Sequence, residues 1–192
     1  MQQGRWQQAE QFCFLDFPIV ELSGKTLGVL GYGELGQEVA RLAQALGMKI
    51  LVGNLPNRQH AGRLSLEELL PQVDVLTLHC PLNDSTKDLI AEKELALMKP
   101  TAFLINTARG GIVNEAALAH ALQRGTLAGA ATDVLTVEPP KQGNILLDST
   151  IPNLIITPHS AWGSVQARQR IVQQLTENAQ GFISGKIIRQ VN

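Results

Sequence analysis

From Gly24 onward, short apolar runs alternate with longer stretches in which apolar positions recur every three or four residues. Six runs of four to seven residues, at 26–31, 49–53, 73–79, 102–106, 127–133 and 154–157, read as strands. The stretches between them carry helix punctuation. Residues 34–46 stop at Gly47, and Ser65 with Glu68 three positions on forms a capping box. Asn114 is placed to cap a helix whose apolar stripe runs through Ala116, Leu118, Ala121 and Leu122 to a terminator at Gly125. Residues 91–99, closed by Pro100, and 164–184 complete the set. Strands that are apolar throughout and separated by helices are buried on both faces. The pattern predicts an α/β fold: a Rossmann-type, doubly wound parallel sheet in three α/β/α layers. The expected organisation is a dinucleotide-binding domain over 24–165, preceded by a segment 1–23 and followed by a C-terminal helix and tail, 166–192.

Residues 1–23 have no clear period, yet Trp6, Phe12, Phe14 and Phe17 are four of the chain's eight aromatic residues. Such rings need cover. The expectation is that they pack on the domain itself; the alternative is docking on a partner subunit or on another domain.

Composition narrows the function classes. With 192 residues, 44% of them apolar and 17% charged, the chain has the material for a real core, which argues against disorder. The net charge of −1 offers no electrostatic footprint for nucleic acid or an anionic membrane. No apolar run reaches the ~20 residues of a membrane span. Cys13 and Cys80 are too few and too separated for a disulfide framework or a zinc site, so a reducing, cytoplasmic setting is expected.

Gly31-Tyr-Gly-Glu-Leu-Gly36 lies directly after the first strand and opens the first helix, the one context in which GxGxxG has a mechanism. Gly31 permits the tight turn, Gly33 admits a pyrophosphate, and Gly36 lets helix and strand pack closely, while N–H groups near Glu34 and Leu35 meet the phosphates. At the end of the second strand, where an acid commonly binds the adenosine ribose, stands Asn54. An amide keeps part of the hydrogen bonding but does not repel a 2′-phosphate, and Arg58 four residues on could pair with one. The choice between NAD and NADP stays open here, with a tilt toward NADPH. An ordinary solvated arginine is the other reading of Arg58.

Three further residues sit just beyond strand ends, where open α/β sheets bind ligands. Arg109, in a Gly-rich turn, presents a planar fork suited to a carboxylate and an adjacent carbonyl; its plainer reading is a structural ion pair. His159 can give and take a proton near neutrality. Glu138, in a loop fixed by Pro139 and Pro140, could hold the imidazole in orientation. Asp133 could accept from a nicotinamide carboxamide or could cap a turn. His60, His79 and His120 read as packing or surface residues, and Cys80 as a small residue lining a cleft.

These motifs, in this order, resemble the nucleotide-binding domain of the D-isomer-specific 2-hydroxyacid dehydrogenases. The resemblance rests on the run from Glu21 to Gly36, on His79-Cys-Pro-Leu82 with Thr86, on Met98-Lys-Pro100 leading to Ile105-Asn-Thr-Ala-Arg-Gly-Gly-Ile-Val113, on Asp133-Val with Glu138-Pro139, and on Thr157-Pro-His159. Trp162 is most similar to the glycerate dehydrogenase and hydroxypyruvate reductase branch. The resemblance implies that Arg109 binds the 2-oxo acid's carboxylate and carbonyl, that His159 protonates the carbonyl oxygen, and that Glu138 supports His159. It implies that Glu34 and Leu35 amides meet the pyrophosphate and Asn54 the ribose. Cys80, Pro81, Thr86, Thr107 and Ala108 would line the cofactor cleft, and Asp133 would meet the carboxamide. It also implies a homodimer, and a two-domain clamp whose substrate domain this chain largely lacks, so that the chain is expected to be a fragment or truncated form with little activity alone. A dinucleotide sensor or dimerising regulatory module is the alternative; a methyltransferase leaves Arg109, Glu138 and His159 unexplained.

Overall fold

The computed structural model describes residues 3–16 and 18–190; Phe17 lies outside the described residues. The elements follow the predicted alternation: β1 Thr26–Leu30, α1 Glu34–Ala45, β2 Lys49–Gly53, α2 Leu66–Leu69, β3 Val75–Leu78, α3 Glu92–Leu97, β4 Phe103–Asn106, α4 Glu115–Gln123, β5 Gly129–Thr132, β6 Leu154–Ile156 and α5 Val165–Ile183. Single 3₁₀ turns occupy Leu70–Gln72 and Ile145–Leu147. The expected cap at Ser65 forms in full: its hydroxyl accepts from the Glu68 N–H while the Glu68 carboxylate reaches back to the Ser65 N–H. Asn114 caps α4 through the Ala117 N–H.

The six strands are all parallel, in the order β2-β1-β3-β4-β5-β6. The chain winds outward from β1 to β2, then returns past β1 to lay down β3 and the rest. The loops leaving β1 and β3 therefore diverge to opposite faces, and a crevice opens between them. The larger core lies on the α2–α4 side, where Leu69, Leu70, Leu76, Leu104, Ile112 and Leu122 are almost fully buried. On the opposite side Ala40 and Ala43 bring α1 close against Leu27 and Val29.

The expected Rossmann-type sheet with helices on both faces forms, and its α1 side is the thinner: α1 covers the sheet around β1, whereas Phe103 on β4 and Ile155 on β6 are exposed, and α5 buries none of its residues. The apolar residues Val165, Ile171, Val172, Leu175, Phe182 and Ile183 of α5 stay exposed, although the tail folds back near Gly181 through Ile188 and Arg189. One expectation needs correction: among the described residues of the aromatic segment, the Trp6 and Phe12 side chains stay exposed instead of packing on the domain. Trp6 Nε1–H donates to the Phe12 carbonyl, Arg5 lies over the Phe14 ring and pairs with Asp16, and Phe12 is 90% exposed.

Candidate active site

The glycine turn sits at the crevice. Gly31 has φ +92°, a region costly for any residue with a Cβ, and a Cβ there would come within 2.5 Å of the His79–Cys80 peptide. The turns after β1 and β3 thus touch backbone to backbone. Gly33 faces open space and starts α1 with no side-chain cap, so the first-turn N–H groups beside exposed Glu34 and Leu35 are left for an anion. A Cβ on Gly36 would lie 2.1 Å from the Gly31 carbonyl oxygen. These observations fit a dinucleotide pyrophosphate at this turn.

The cleft beyond it is walled by Leu35 and Val39 of α1, by His79, Cys80 and Pro81 after β3, and by Thr107, Ala108 and Arg109 after β4, with Ala161 and Trp162 after β6. Burial pushes the Cys80 thiol up to about 11, which keeps it protonated and inert at neutral pH. Burial also lowers the pKa of His79, whose Nε2 lies 3.0 Å from the Thr77 hydroxyl. Thr86 departs from its expected place in the cleft wall. It is fully buried, donates to the Pro81 carbonyl at 2.7 Å and accepts from the Asn83 N–H at 2.8 Å, so it braces the turn from beneath.

Arg109 is exposed at the cleft, with no carboxylate paired to it among the described residues; its Nη1 donates to the Ala108 carbonyl at 2.6 Å. The structural ion pair considered for it is therefore not formed. Buried Asn106 shapes its turn, accepting from the Ala108 N–H and donating to the Arg109 carbonyl. Sequence reasoning missed that role, although a polar residue ending an apolar strand was a signal.

The structure brings Glu138 and His159 together. His159 Nδ1 lies 2.6 Å from Glu138 Oε2, and Glu138 Oε1 accepts from the Leu135 N–H at 2.7 Å. Burial would raise the Glu138 pKa, but the hydrogen bonds from His159 and the Leu135 N–H outweigh it and hold the carboxyl below the usual range. His159 itself has φ +51°, a strained setting for a residue with a Cβ. Its turn is strongly determined: buried Asp133 accepts from the Thr157 hydroxyl and from the Ser160 and Ala161 N–H groups, and Trp162 Nε1–H donates to the His159 carbonyl. Of the two readings of Asp133, the geometry shows turn capping. Its Oδ1 accepts two of these bonds and Oδ2 one.

At the end of β2, Asn54 also differs from expectation. It is buried; its amide donates to Gln59 Oε1 and the Arg63 carbonyl and accepts from the His60 N–H, so it staples the 54–63 loop. That loop carries Arg58, His60 and Arg63 and no acid. Arg58 is exposed, and the Arg63 guanidinium lies 5.7 Å from the ring centre of Tyr32, inside the glycine turn. Arg63 escaped sequence reasoning because only the loop's fold returns it to that turn.

A parallel sheet with an uncapped glycine turn at its topological switch point defines a Rossmann-type nucleotide-binding domain. Comparison with known proteins carries this further. The model of the D-isomer specific 2-hydroxyacid dehydrogenase NAD binding domain matches residues 1–161, and the chain belongs to that family. It is 50% identical to a glycerate dehydrogenase of Methylorubrum extorquens over 97% of this chain and 59% of that protein. It is 38% identical to a hydroxypyruvate reductase of Blautia hydrogenotrophica over 99% of this chain and 60% of that protein. Among solved structures, an acyclic imino acid reductase in complex with NADPH and D-Arg superposes with a TM-score of 0.82 at 33% identity, covering 100% of this chain and 61% of that one. The chain thus spans about three-fifths of the length of these two curated relatives.

Proposed function

We propose that this chain is the cofactor- and proton-handling part of an NAD(P)-dependent D-2-hydroxyacid dehydrogenase that interconverts a small 2-oxo acid, hydroxypyruvate or glyoxylate, with its D-2-hydroxy acid. The observation that carries the reading is the imidazole held at 2.6 Å by Glu138, one turn of chain from a cleft that Arg109 lines. Glu138 accepts from Nδ1–H of His159, which leaves Nε2 to deliver a proton to the substrate's carbonyl oxygen on reduction and to remove it on oxidation. Arg109 takes the substrate carboxylate in its fork and polarises the carbonyl. The nicotinamide, when bound, supplies or accepts the hydride. Gly31, Gly33 and Gly36 shape the pyrophosphate seat, Glu34 and Leu35 offer their amides, and Cys80, Pro81, Thr107 and Ala108 wall the cleft.

The finer assignment is NADPH, for which the acid-free 54–63 loop with Arg58 and Arg63 offers a 2′-phosphate seat. The reading also divides the chain into a leading segment 1–23, a nucleotide unit 24–165 and a stretch 166–192 that reaches toward a substrate domain. The exposed apolar residues of 1–23, β4, β6 and α5 are assigned to that domain and to a homodimer. The two unpaired cysteines favour the cytoplasm.

A reduced-nicotinamide fluorescence titration of the 192-residue chain tests the binding part. NADPH is expected to bind roughly tenfold more tightly than NADH, and Arg58→Ala and Arg63→Ala to erode that margin. The chemistry is tested by replacing the matching segment of the M. extorquens relative with this chain: Arg109→Ala and His159→Ala should each abolish most hydroxypyruvate- or glyoxylate-dependent NADPH oxidation. Turnover like that of the unmutated chimera in either variant overturns the catalytic assignment. Nucleotide binding without turnover would leave a sensor.

A further inference from the structure

Glu115, the first residue of α4, lies outside every motif used above, yet its carboxylate holds the loop that carries Glu138. Oε1 accepts from the Thr136 N–H at 2.7 Å and Oε2 from the Asn144 side-chain amide at 2.7 Å. The two bonds fasten the start and end of the 135–144 loop to one rigid helix terminus. Its far side is fixed as well: a Cβ on Gly110 would come within 1.9 Å of the Leu135 carbonyl oxygen, so the Arg109–Gly110 turn lies directly on the Leu135–Thr136 peptide. The other end of the neighbouring peptide, the Leu135 N–H, is the group that holds Glu138 Oε1.

We propose that Glu115 is a positioning residue for the reaction: it clamps the Leu135–Thr136 peptide against the Arg109 turn and thereby sets where Glu138 presents its second oxygen to His159. The chain of contacts runs from Glu115 to the Thr136 N–H, through one peptide to the Leu135 N–H, and on to Glu138 and His159. A single anchor then keeps the carboxylate-binding arginine and the acid–base pair in mutual register. This inference rests on the dehydrogenase reading for its catalytic meaning, whereas the mechanical linkage stands on the geometry alone.

Nuclear magnetic resonance of the 192-residue chain tests the linkage without turnover. In Glu115→Ala, the Leu135 and Thr136 amides should exchange about tenfold or more faster while amides of β1 keep their protection, because only the local anchor is lost. The Glu138 side-chain carboxyl, followed by its carbon shift against pH, should titrate higher than in the unmutated chain as the Leu135 bond loosens; Asp133 and His159, the charged groups facing it, are unchanged. Glu115→Gln keeps an oxygen for the Thr136 N–H but turns an NH₂ toward Asn144, so it should fall between the two. It also decides the matter if Glu115→Ala does not fold. An unchanged Glu138 titration with Leu135 still protected overturns the proposal, and so does a uniform loss of protection across the sheet, which marks a merely structural residue. The dehydrogenase reading is judged separately by the NADPH titration of the unmutated chain, so either can fail alone.

Discussion

Replacing Asp133 by asparagine would separate the support of the His159 turn from everything else in the site. The carboxylate is 4% exposed and accepts three hydrogen bonds, two on Oδ1 from the Thr157 hydroxyl and the Ser160 N–H and one on Oδ2 from the Ala161 N–H. An amide oxygen can replace Oδ1, but the amide NH₂ then confronts the Ala161 N–H, leaving a donor without an acceptor. A buried unsatisfied donor together with the loss of charge from the remaining bonds amounts to about 3 kcal/mol. In a domain of this size that lowers the melting temperature by roughly 6–12 °C. The pH dependence gives a second handle. Burial would raise the Asp133 pKa, but the bonds from Thr157, Ala161 and Ser160 and the nearby His159 outweigh it, so the folded-state pKa lies below the ordinary value. A carboxyl depressed in this way contributes stability that is fully present above its unfolded pKa, about 3.9, and is lost as the pH falls through the folded value. Urea unfolding followed by circular dichroism should show the full difference between the two proteins at pH 7 and a shrinking one below about pH 4. Equal stability at pH 7, or a difference that ignores pH, would refute this account of the turn.

Two predictions concern the cleft itself. Gly36→Ala forces a Cβ to 2.1 Å from the Gly31 carbonyl oxygen, so α1 must move away from the glycine turn at a cost of about 1–3 kcal/mol. The titration with NADPH should then show at least a roughly tenfold loss of affinity with the far-ultraviolet dichroism retained, and unaltered affinity would exclude the close-packing argument. Cys80, buried and with its thiol at about 11, should resist iodoacetamide at pH 8 while the partly exposed Cys13 reacts. Peptide mass spectrometry should find Cys80 alkylated only after denaturation; equal labelling of both thiols in the native chain would remove the buried-wall assignment.

The features legible along the chain are those whose physical cause is local. A strand buried on both faces must be apolar throughout and a helix on a sheet must be apolar every third or fourth position, so the alternation of elements follows from hydrophobicity alone. The caps at Ser65 and Asn114 were equally readable, since a side chain within three positions satisfies the helix's own N–H groups. Gly31, Arg109, Glu138 and His159 stood out because each follows a strand's carboxyl end, which places them on one rim of any parallel sheet.

Partners across the sheet were beyond that reach. That Glu138 meets His159, 21 positions away, depends on β5 and β6 lying side by side. Asp133 was legible as an acid at a strand end, but only the path of residues 157–161 around it showed that its oxygens are already engaged. Arg63 reaches Tyr32, and Glu115 reaches Thr136, through loops whose course no periodicity encodes. The exposure of α5 and of the aromatic segment is a further case, because an amphipathic pattern states that a face wants cover and not what supplies it. Sequence by itself determined the elements, their order and the chemistry available at their ends. The tertiary structure alone decided which of those groups touch, since sheet order and loop path join residues that no local rule connects.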